Sequence, residues 1–232
     1  MIASPIVIEL FAQAGFEAVV LDMEHGPIGF DTLNNLIPAA RAAGIYPLVR
    51  VRSADASLIG SALDVGAAGI VVPQIDSAAA AATVVRAARF APLGHRGLNP
   101  YTRAAGYHAK PEWYSRANSE VAVFVMVEGT AVITVLPEIL ATSGLDGIFI
   151  GPFDLSQALE VPGQVEHPRV IAAIESIVAS AASHRMATAI YAPTPVLARR
   201  WLDLGVRVVA LGYDTALILD AFKNIRAATL QS

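Results

Sequence analysis

Ala14-Gly15-Phe16-Glu17-Ala18-Val19-Val20-Leu21-Asp22-Met23-Glu24-His25-Gly26-Pro27 holds the pattern that decides the fold. A glycine just past an alanine-rich helix accepts the left-handed conformation of a helix end. A short run of branched apolar residues follows, and then an acid-rich turn with one histidine. The glycine step recurs at Ala43-Gly44-Ile45, Val65-Gly66-Ala67, Ser143-Gly144-Leu145 and Leu204-Gly205-Val206. The apolar runs are Ala18 to Leu21, Pro47 to Val51, Gly69 to Val72, Val121 to Val127, Gly147 to Ile150, Met186 to Ile190 and Val206 to Leu211. They are too continuously apolar for half-exposed strands, which points to a parallel sheet covered by helices.

Helical patterns lie between these runs, at roughly 31–43, 54–65, 77–89, 130–142, 168–183, 193–204 and 214–227, with Asp31, Ser53, Ser77 and Thr130 as N-caps. Strands alternating with helices and no linker predict one (β/α)8 TIM barrel over residues 1–232. The strand count is one short. The chain enters a helix at about 5–14, so the first strand is missing or reduced to the stub Met1-Ile2. No G-x-G-x-x-G or G-x-x-x-x-G-K-[ST] follows a strand, which disfavours a doubly wound nucleotide fold. The long connection from about 91 to 120 carries Arg96, Asn99-Pro100-Tyr101-Thr102-Arg103 and Trp113-Tyr114, and reads as a subunit contact or a solvent excursion.

The 232 residues are 55% hydrophobic and 16% charged, with a formal net charge of −4. No block of Lys or Arg forms an electrostatic footprint for nucleic acid. No apolar run is long enough to span a membrane, and the N-terminus lacks a signal pattern, so a cytoplasmic protein is expected. Cysteine is absent, which removes thiolate nucleophiles and cysteine metal sites. The only lysines are Lys110 and Lys223, neither at a strand end, so Schiff-base chemistry has no obvious nucleophile.

Barrels gather their chemistry at the C-terminal ends of the strands. Read in order, those ends give Asp22, Glu24 and His25, then Arg50 and Arg52, then Gln74, then Glu128, then Phe153 and Asp154, then Tyr191, then Gly212. Glu128 and Asp154 end consecutive strands, and two carboxylates without cysteine suit a hard divalent cation completed by water and substrate. Each acid alone would equally serve as a helix cap or ion-pair partner. His25, alone more often a structural or surface residue, can serve as a general base beside two acids, a role for which imidazole chemistry is suited. Arg50, at the end of an apolar strand, needs an anionic partner. Asp22, Asp64, Glu24 or the oxyanion of a reacting carbonyl can supply it.

At these residues the sequence resembles the HpcH/HpaI aldolase family of metal-dependent class II 2-oxo acid aldolases. The resemblance rests on Gly15 through Pro27, Pro47 to Val51, Leu63-Asp64-Val65-Gly66-Ala67, Val72-Pro73-Gln74, Arg96-Gly97, Val127-Glu128 and Asp146 through Ser156, in order along nearly the whole chain. It implies a TIM barrel, usually a hexamer built as a trimer of dimers with the last helix exchanged between partners. It also implies a divalent ion (Mg, Mn or Co) and reversible cleavage of a 4-hydroxy-2-oxo acid to pyruvate, or a close relative, and an aldehyde.

By the same resemblance Glu128 and Asp154 would hold the ion, His25 would be the catalytic base and Arg50 would stabilise the enolate oxygen. Asp22 and Asp64 would orient or charge-couple His25 and Arg50, with Asp64 supplied across a subunit interface as one option. The backbone around Phe153 and Asp154 would hold the substrate carboxylate. Gln74 and Tyr191 stand at strand ends where substrate binds. Oxaloacetate decarboxylation or related enolate chemistry in the same site, and a non-catalytic barrel, are the competing readings. An acyl-CoA lyase is disfavoured, because no basic patch suits CoA phosphates. Relatives carry a further N-terminal segment of about 20 residues in this family pattern, with the first strand and part of the substrate pocket.

Overall fold

The computed structural model describes residues 1–230. Among these, seven parallel strands alternate with helices: α1 (Pro5–Gln13), β1 (Ala18–Asp22), α2 (Phe30–Ala42), β2 (Tyr46–Arg50), α3 (Ala56–Val65), β3 (Gly69–Val72), α4 (Ala78–Ala88), α5 (Pro111–Glu120), β4 (Ala122–Val127), α6 (Thr130–Thr134), α7 (Leu136–Leu140), β5 (Gly147–Ile150), α8 (Pro152–Ala158), α9 (Pro168–Ser183), β6 (Ala187–Ala192), α10 (Pro195–Asp203), β7 (Val208–Leu211) and α11 (Asp214–Leu230). The strands pair in sequence order, β1 to β7, and every pairing is parallel. This is an α/β TIM-like barrel one strand short of eight. Residues of β1 and β7, with Met1 and Ile2, line an apolar cavity of about 140 Å³ at the unpaired edges.

The core forms two shells. Branched side chains of the strands pack outward on the helices, with Val49, Ile70, Val125, Ile148 and Ile190 fully buried against Leu33, Ile59, Ile139, Ile174 and Trp201. Inside the barrel, Val71, Phe124, Met126, Phe149 and Ala189 form a second cluster. Burial on both faces is why the strands read as unbroken apolar runs. Helices on the outside leave the strand ends free to carry polar groups.

The helix ends follow the glycine steps: Gly15, Gly44, Gly66, Gly144 and Gly205 all have positive φ. Three caps differ from the sequence reading. Gly29 precedes α2 and Asp31 lies within its first turn; Asp55 rather than Ser53 caps α3; Thr130 is the first residue of α6. Ser77 caps α4 as expected, accepting from Ala80 N–H. The helix expected over 130–142 is broken into α6 and α7 around Val135, with Pro137 starting the second piece. The long connection contains α5, opened by Pro111. Among the described residues no helix is long and apolar enough to cross a membrane.

Candidate active site

Parallel strands deliver Asp22 and Arg50 side by side, since they are register partners at the ends of β1 and β2. Arg50 donates to Asp22 through Nε (2.9 Å to Oδ1) and Nη2 (2.6 Å to Oδ2), a bidentate pair. Arg50 Nη1 also lies 3.3 Å from Glu24 Oε2. Asp22 Oδ1 further accepts the backbone N–H groups of Glu24 (3.0 Å) and His25 (3.3 Å), so the buried acid shapes the turn that follows β1. Gly26 lies against the Asp22 carbonyl with no room for a Cβ.

These contacts set the ionisation of the group. Burial pushes Asp22 up, but the hydrogen bonds and charge of Arg50, with the two backbone N–H groups, outweigh it and leave the carboxyl below its usual range. The Arg50 guanidinium, although buried, is held charged by Asp22, with Tyr213 and Glu24 contributing. Glu24 is raised by burial and by the neighbouring Asp22 and Asp154 charges, against the pull of Arg50 and His25.

Opposite this pair, Glu24, His25, Gln74, Glu128 and Asp154 line one cleft of about 410 Å³. Gln74 adopts a left-handed backbone, φ 59°, and its N–H donates to Glu128 Oε1 at 2.7 Å. Its side-chain amide reaches toward Glu24 Oε1 at 3.5 Å. Glu128 lies over Gly151, where an added Cβ would come within 3.1 Å of its Oε2. Burial raises Glu128, and the Asp154 and Glu24 charges raise it further.

Asp154 sits exposed in the first turn of α8. The His25 ring is exposed, with Nε2 3.9 Å from Glu24 Oε2. The far wall is aromatic: Phe153 packs on Tyr191 with centroids 5.8 Å apart, and Tyr191 on Tyr213 at 5.2 Å.

The donors fit a hard divalent ion. Glu128 keeps Oε2 free of any hydrogen bond to Gln74, and Asp154 faces the same cleft. Glu24 Oε2 is buried without a hydrogen-bond partner, although Arg50 Nη1 lies 3.3 Å away as an ion-pair contact. Four carboxylates, Glu24, Asp76, Glu128 and Asp154, line this cleft beside one guanidinium already neutralised by Asp22, and such an excess of oxygen charge is what a cation would offset. Among the described residues no three His, Asp or Glu side chains are arranged as a ready-made metal cage. An ion held by Glu128 and Asp154 would leave its remaining positions to water and substrate, the usual manner of Mg²⁺ binding.

The mouth thus brings together Asp22, Glu24, His25, Arg50, Gln74, Glu128, Phe153, Asp154 and Tyr191. It does not bring Asp64 from its own chain. Asp64 lies in the last turn of α3, and helices run back toward the opposite end of the barrel. There it pairs with buried Arg96 at 2.6 Å. Arg50 takes Asp22 and Glu24, not Asp64, as its anionic partners. Tyr213, one residue beyond the glycine that closes β7, was missed by the sequence reading, although its hydroxyl lies 3.2 Å from Arg50 Nη2.

This arrangement of acids, histidine and arginine accompanies a match of residues 1–221 to the family model for HpcH/HpaI aldolase/citrate lyase. The chain belongs to the HpcH/HpaI aldolase/citrate lyase family. It is 37% identical over 228 residues to the hydroxypyruvate/pyruvate aldolase of Pseudomonas aeruginosa, covering 97% of this chain and 84% of the relative. It is 35% identical over 230 residues to the 5-keto-4-deoxy-D-glucarate aldolase of Klebsiella pneumoniae, covering 96% and 90%. An HpcH/HpaI family protein of Burkholderia cenocepacia superposes with a TM-score of 0.93 at 31% identity, covering 98% of this chain and 91% of that one. The protein is a carbon–carbon lyase of the aldolase type.

Proposed function

We propose that this HpcH/HpaI-family aldolase is divalent-metal-dependent and reversibly cleaves a 4-hydroxy-2-oxo acid to pyruvate, or a related 2-oxo acid, and an aldehyde. The observation that carries the reading is the half-buried Arg50, fixed bidentately by the buried Asp22 at the same strand-end mouth as the Glu128 and Asp154 carboxylates. The relatives named as aldolases of hydroxypyruvate with pyruvate, and of a 5-keto-4-deoxy sugar acid, support a 2-oxo acid as one partner.

Glu128 and Asp154 would hold the ion, which when bound polarises the oxo acid as a Lewis acid. Arg50 is preorganised, with its orientation set before substrate arrives, and places positive charge where the C2 oxygen becomes negative as the C3–C4 bond breaks. His25, exposed and next to Glu24, takes the C4 hydroxyl proton, the C3–C4 electrons pass toward the C2 oxygen as the aldehyde leaves, and return of a proton to C3 of the enolate gives pyruvate. Asp22 holds Arg50 and the His25 backbone in one rigid turn. Gln74 fixes Glu128 through its backbone. Phe153 and Tyr191 form the wall against which the substrate is oriented.

With added Mn²⁺ or Mg²⁺ the protein is expected to release pyruvate from a racemic 4-hydroxy-2-oxo acid, followed by coupled lactate dehydrogenase, and EDTA is expected to abolish release. Folded protein that releases pyruvate equally in EDTA would remove the metal from the mechanism. No release under either condition would remove the aldol reaction.

A homo-oligomer, a hexamer arranged as a trimer of dimers with its last helix exchanged, is the assembly proposed with this function. α11 supports it: none of its residues is buried, and Leu219, Phe222 and Ile225 are exposed along it. Such a helix needs an apolar partner. Phe222→Asp with Ile225→Asp is expected to shift the light-scattering mass toward the monomer, and an unchanged mass would count against α11 as the contact.

A further inference from the structure

Tyr213 is a polar group at the barrel mouth that the proposed reaction leaves without a role. β7 ends at Leu211, and Gly212 turns the chain with φ 65°, a conformation that L side chains rarely adopt. The Leu217 side chain stands 3.2 Å from where a Cβ on Gly212 would be. This turn places the Tyr213 ring against Tyr191, 5.2 Å between centroids, and its hydroxyl 3.2 Å from Arg50 Nη2.

The hydrogen-bond inventory of the pair is asymmetric. A guanidinium carries five N–H donors. Arg50 spends Nε–H and one Nη2 proton on Asp22, and directs the other Nη2 proton to the Tyr213 oxygen. Nη1 faces Glu24 Oε2 without a well-formed hydrogen bond. Tyr213 therefore accepts from a cation, while among the described residues nothing accepts its own proton. A hydroxyl that accepts from a charged donor is polarised into a stronger donor itself. Burial, reinforced by Asp22 and Glu24 against the pull of Arg50, raises the phenol above its usual value, so it keeps that proton at neutral pH. A wall serving only for stacking has no use for the hydroxyl, since phenylalanine would pack as well.

We propose that the Tyr213 hydroxyl is a catalytic residue that, together with Arg50 Nη1, forms a two-donor site for the C2 oxygen of the oxo acid. It donates a hydrogen bond that strengthens as that oxygen gains charge, and no proton is transferred. This rests on the aldolase reading and deepens it.

The test is Tyr213→Phe, which keeps the ring stack. Two reactions of the Mn²⁺-loaded protein are followed: exchange of the pyruvate methyl protons for deuterium by NMR, which reports enolate formation without an aldehyde, and binding of oxalate, an enolate mimic, by calorimetry. The expected exchange kcat falls on the order of 100-fold, the loss typical of one oxyanion donor. Pyruvate KM stays within about threefold, as expected for an interaction made mainly in the transition state. Oxalate binding weakens, and the thermal midpoint is unchanged.

A Phe variant with exchange within twofold of the parent and unaltered oxalate binding would overturn the role of the hydroxyl while leaving the aldolase reading intact. So would one with raised KM and unchanged kcat. A parent protein with no metal-dependent exchange and no aldol cleavage would overturn both. Should Tyr213→Phe prove unstable, 3-fluorotyrosine at 213 keeps the shape and sharpens the donor. It is expected to tighten oxalate binding, and no change in affinity would again overturn the proposal.

Discussion

Arg50→Ala is expected to lower stability by about 3 kcal/mol and kcat by about 10²–10³, the ranges for breaking a buried ion pair and for losing an oxyanion donor. Both effects come from one geometry. The Asp22 side chain is almost fully buried, and Arg50 supplies two short hydrogen bonds to it. Without the guanidinium, a buried carboxylate keeps only the N–H groups of Glu24 and His25.

The pH dependence has a definite sign. In the parent the Asp22 carboxyl lies below its usual value, so its contribution to stability is present above the unfolded pKa of about 3.9 and is lost as pH falls through the folded value. In Arg50→Ala burial is opposed only by the N–H groups of Glu24 and His25, the smallest of the lowering causes, and is expected to raise Asp22 above its unfolded value. The variant's deficit is therefore largest near neutrality and shrinks on acidification. Urea melts of parent and variant at pH 7 and pH 4 check this. Adding Asp22→Asn to Arg50→Ala removes the stranded charge and is expected to recover part of the stability but none of the activity. Recovery of activity would mean that Arg50 serves Asp22 rather than substrate.

The strand ends were legible because a parallel barrel makes them so. Short continuous apolar runs, each entered by a glycine step and alternating with helical patterns, read as strands buried on both faces, and the polar residue that ends each run lies toward the mouth. Asp22, Glu24, His25, Arg50, Gln74, Glu128, Phe153, Asp154 and Tyr191 all follow from that rule. Asp64 does not, because it belongs to a helix, and the end of α3 points away from the mouth toward Arg96. α5 was hidden because only Ala117 of its ten residues is buried, so it has no apolar stripe to read. α8 spans seven residues, too few for a period to show.

Tyr213 illustrates a different limit. Its side-chain direction is set by the left-handed turn at Gly212 and by the Tyr191 ring, and neither is encoded in local pattern. The sign that could have found it is its place beyond the closing glycine of the last strand, facing an arginine at the second.

Glu128→Gln is expected to abolish metal-dependent aldol cleavage, by at least about 10³ if the ion supplies several kcal/mol of transition-state charge stabilisation. The same change is expected to leave the metal-free protein as stable as the parent or more so. The amide oxygen still accepts the Gln74 N–H and fits over Gly151, so the local fold persists. What is removed is a charge that the metal-free site disfavours: burial raises Glu128, and Asp154 and Glu24 repel it. A carboxyl raised in the folded state destabilises the fold above its folded pKa. The metal-free parent should therefore gain stability as pH falls through that value toward the unfolded one, and the Gln variant should lack this gain.

An ion bound at Glu128 would reverse the balance in the parent alone, and the thermal midpoint is then expected to rise with the logarithm of free ion above the dissociation constant. Thermal melts of both proteins in EDTA and in excess Mn²⁺, at pH 6 and pH 8, separate these contributions. A Gln variant still stabilised by Mn²⁺ and still cleaving substrate would take Glu128 out of the ion's coordination. A variant less stable than the parent in EDTA would show instead that its charge serves the fold. A site carrying more acid charge than its one arginine can balance sacrifices stability for function; Glu128 is where that cost should be measurable.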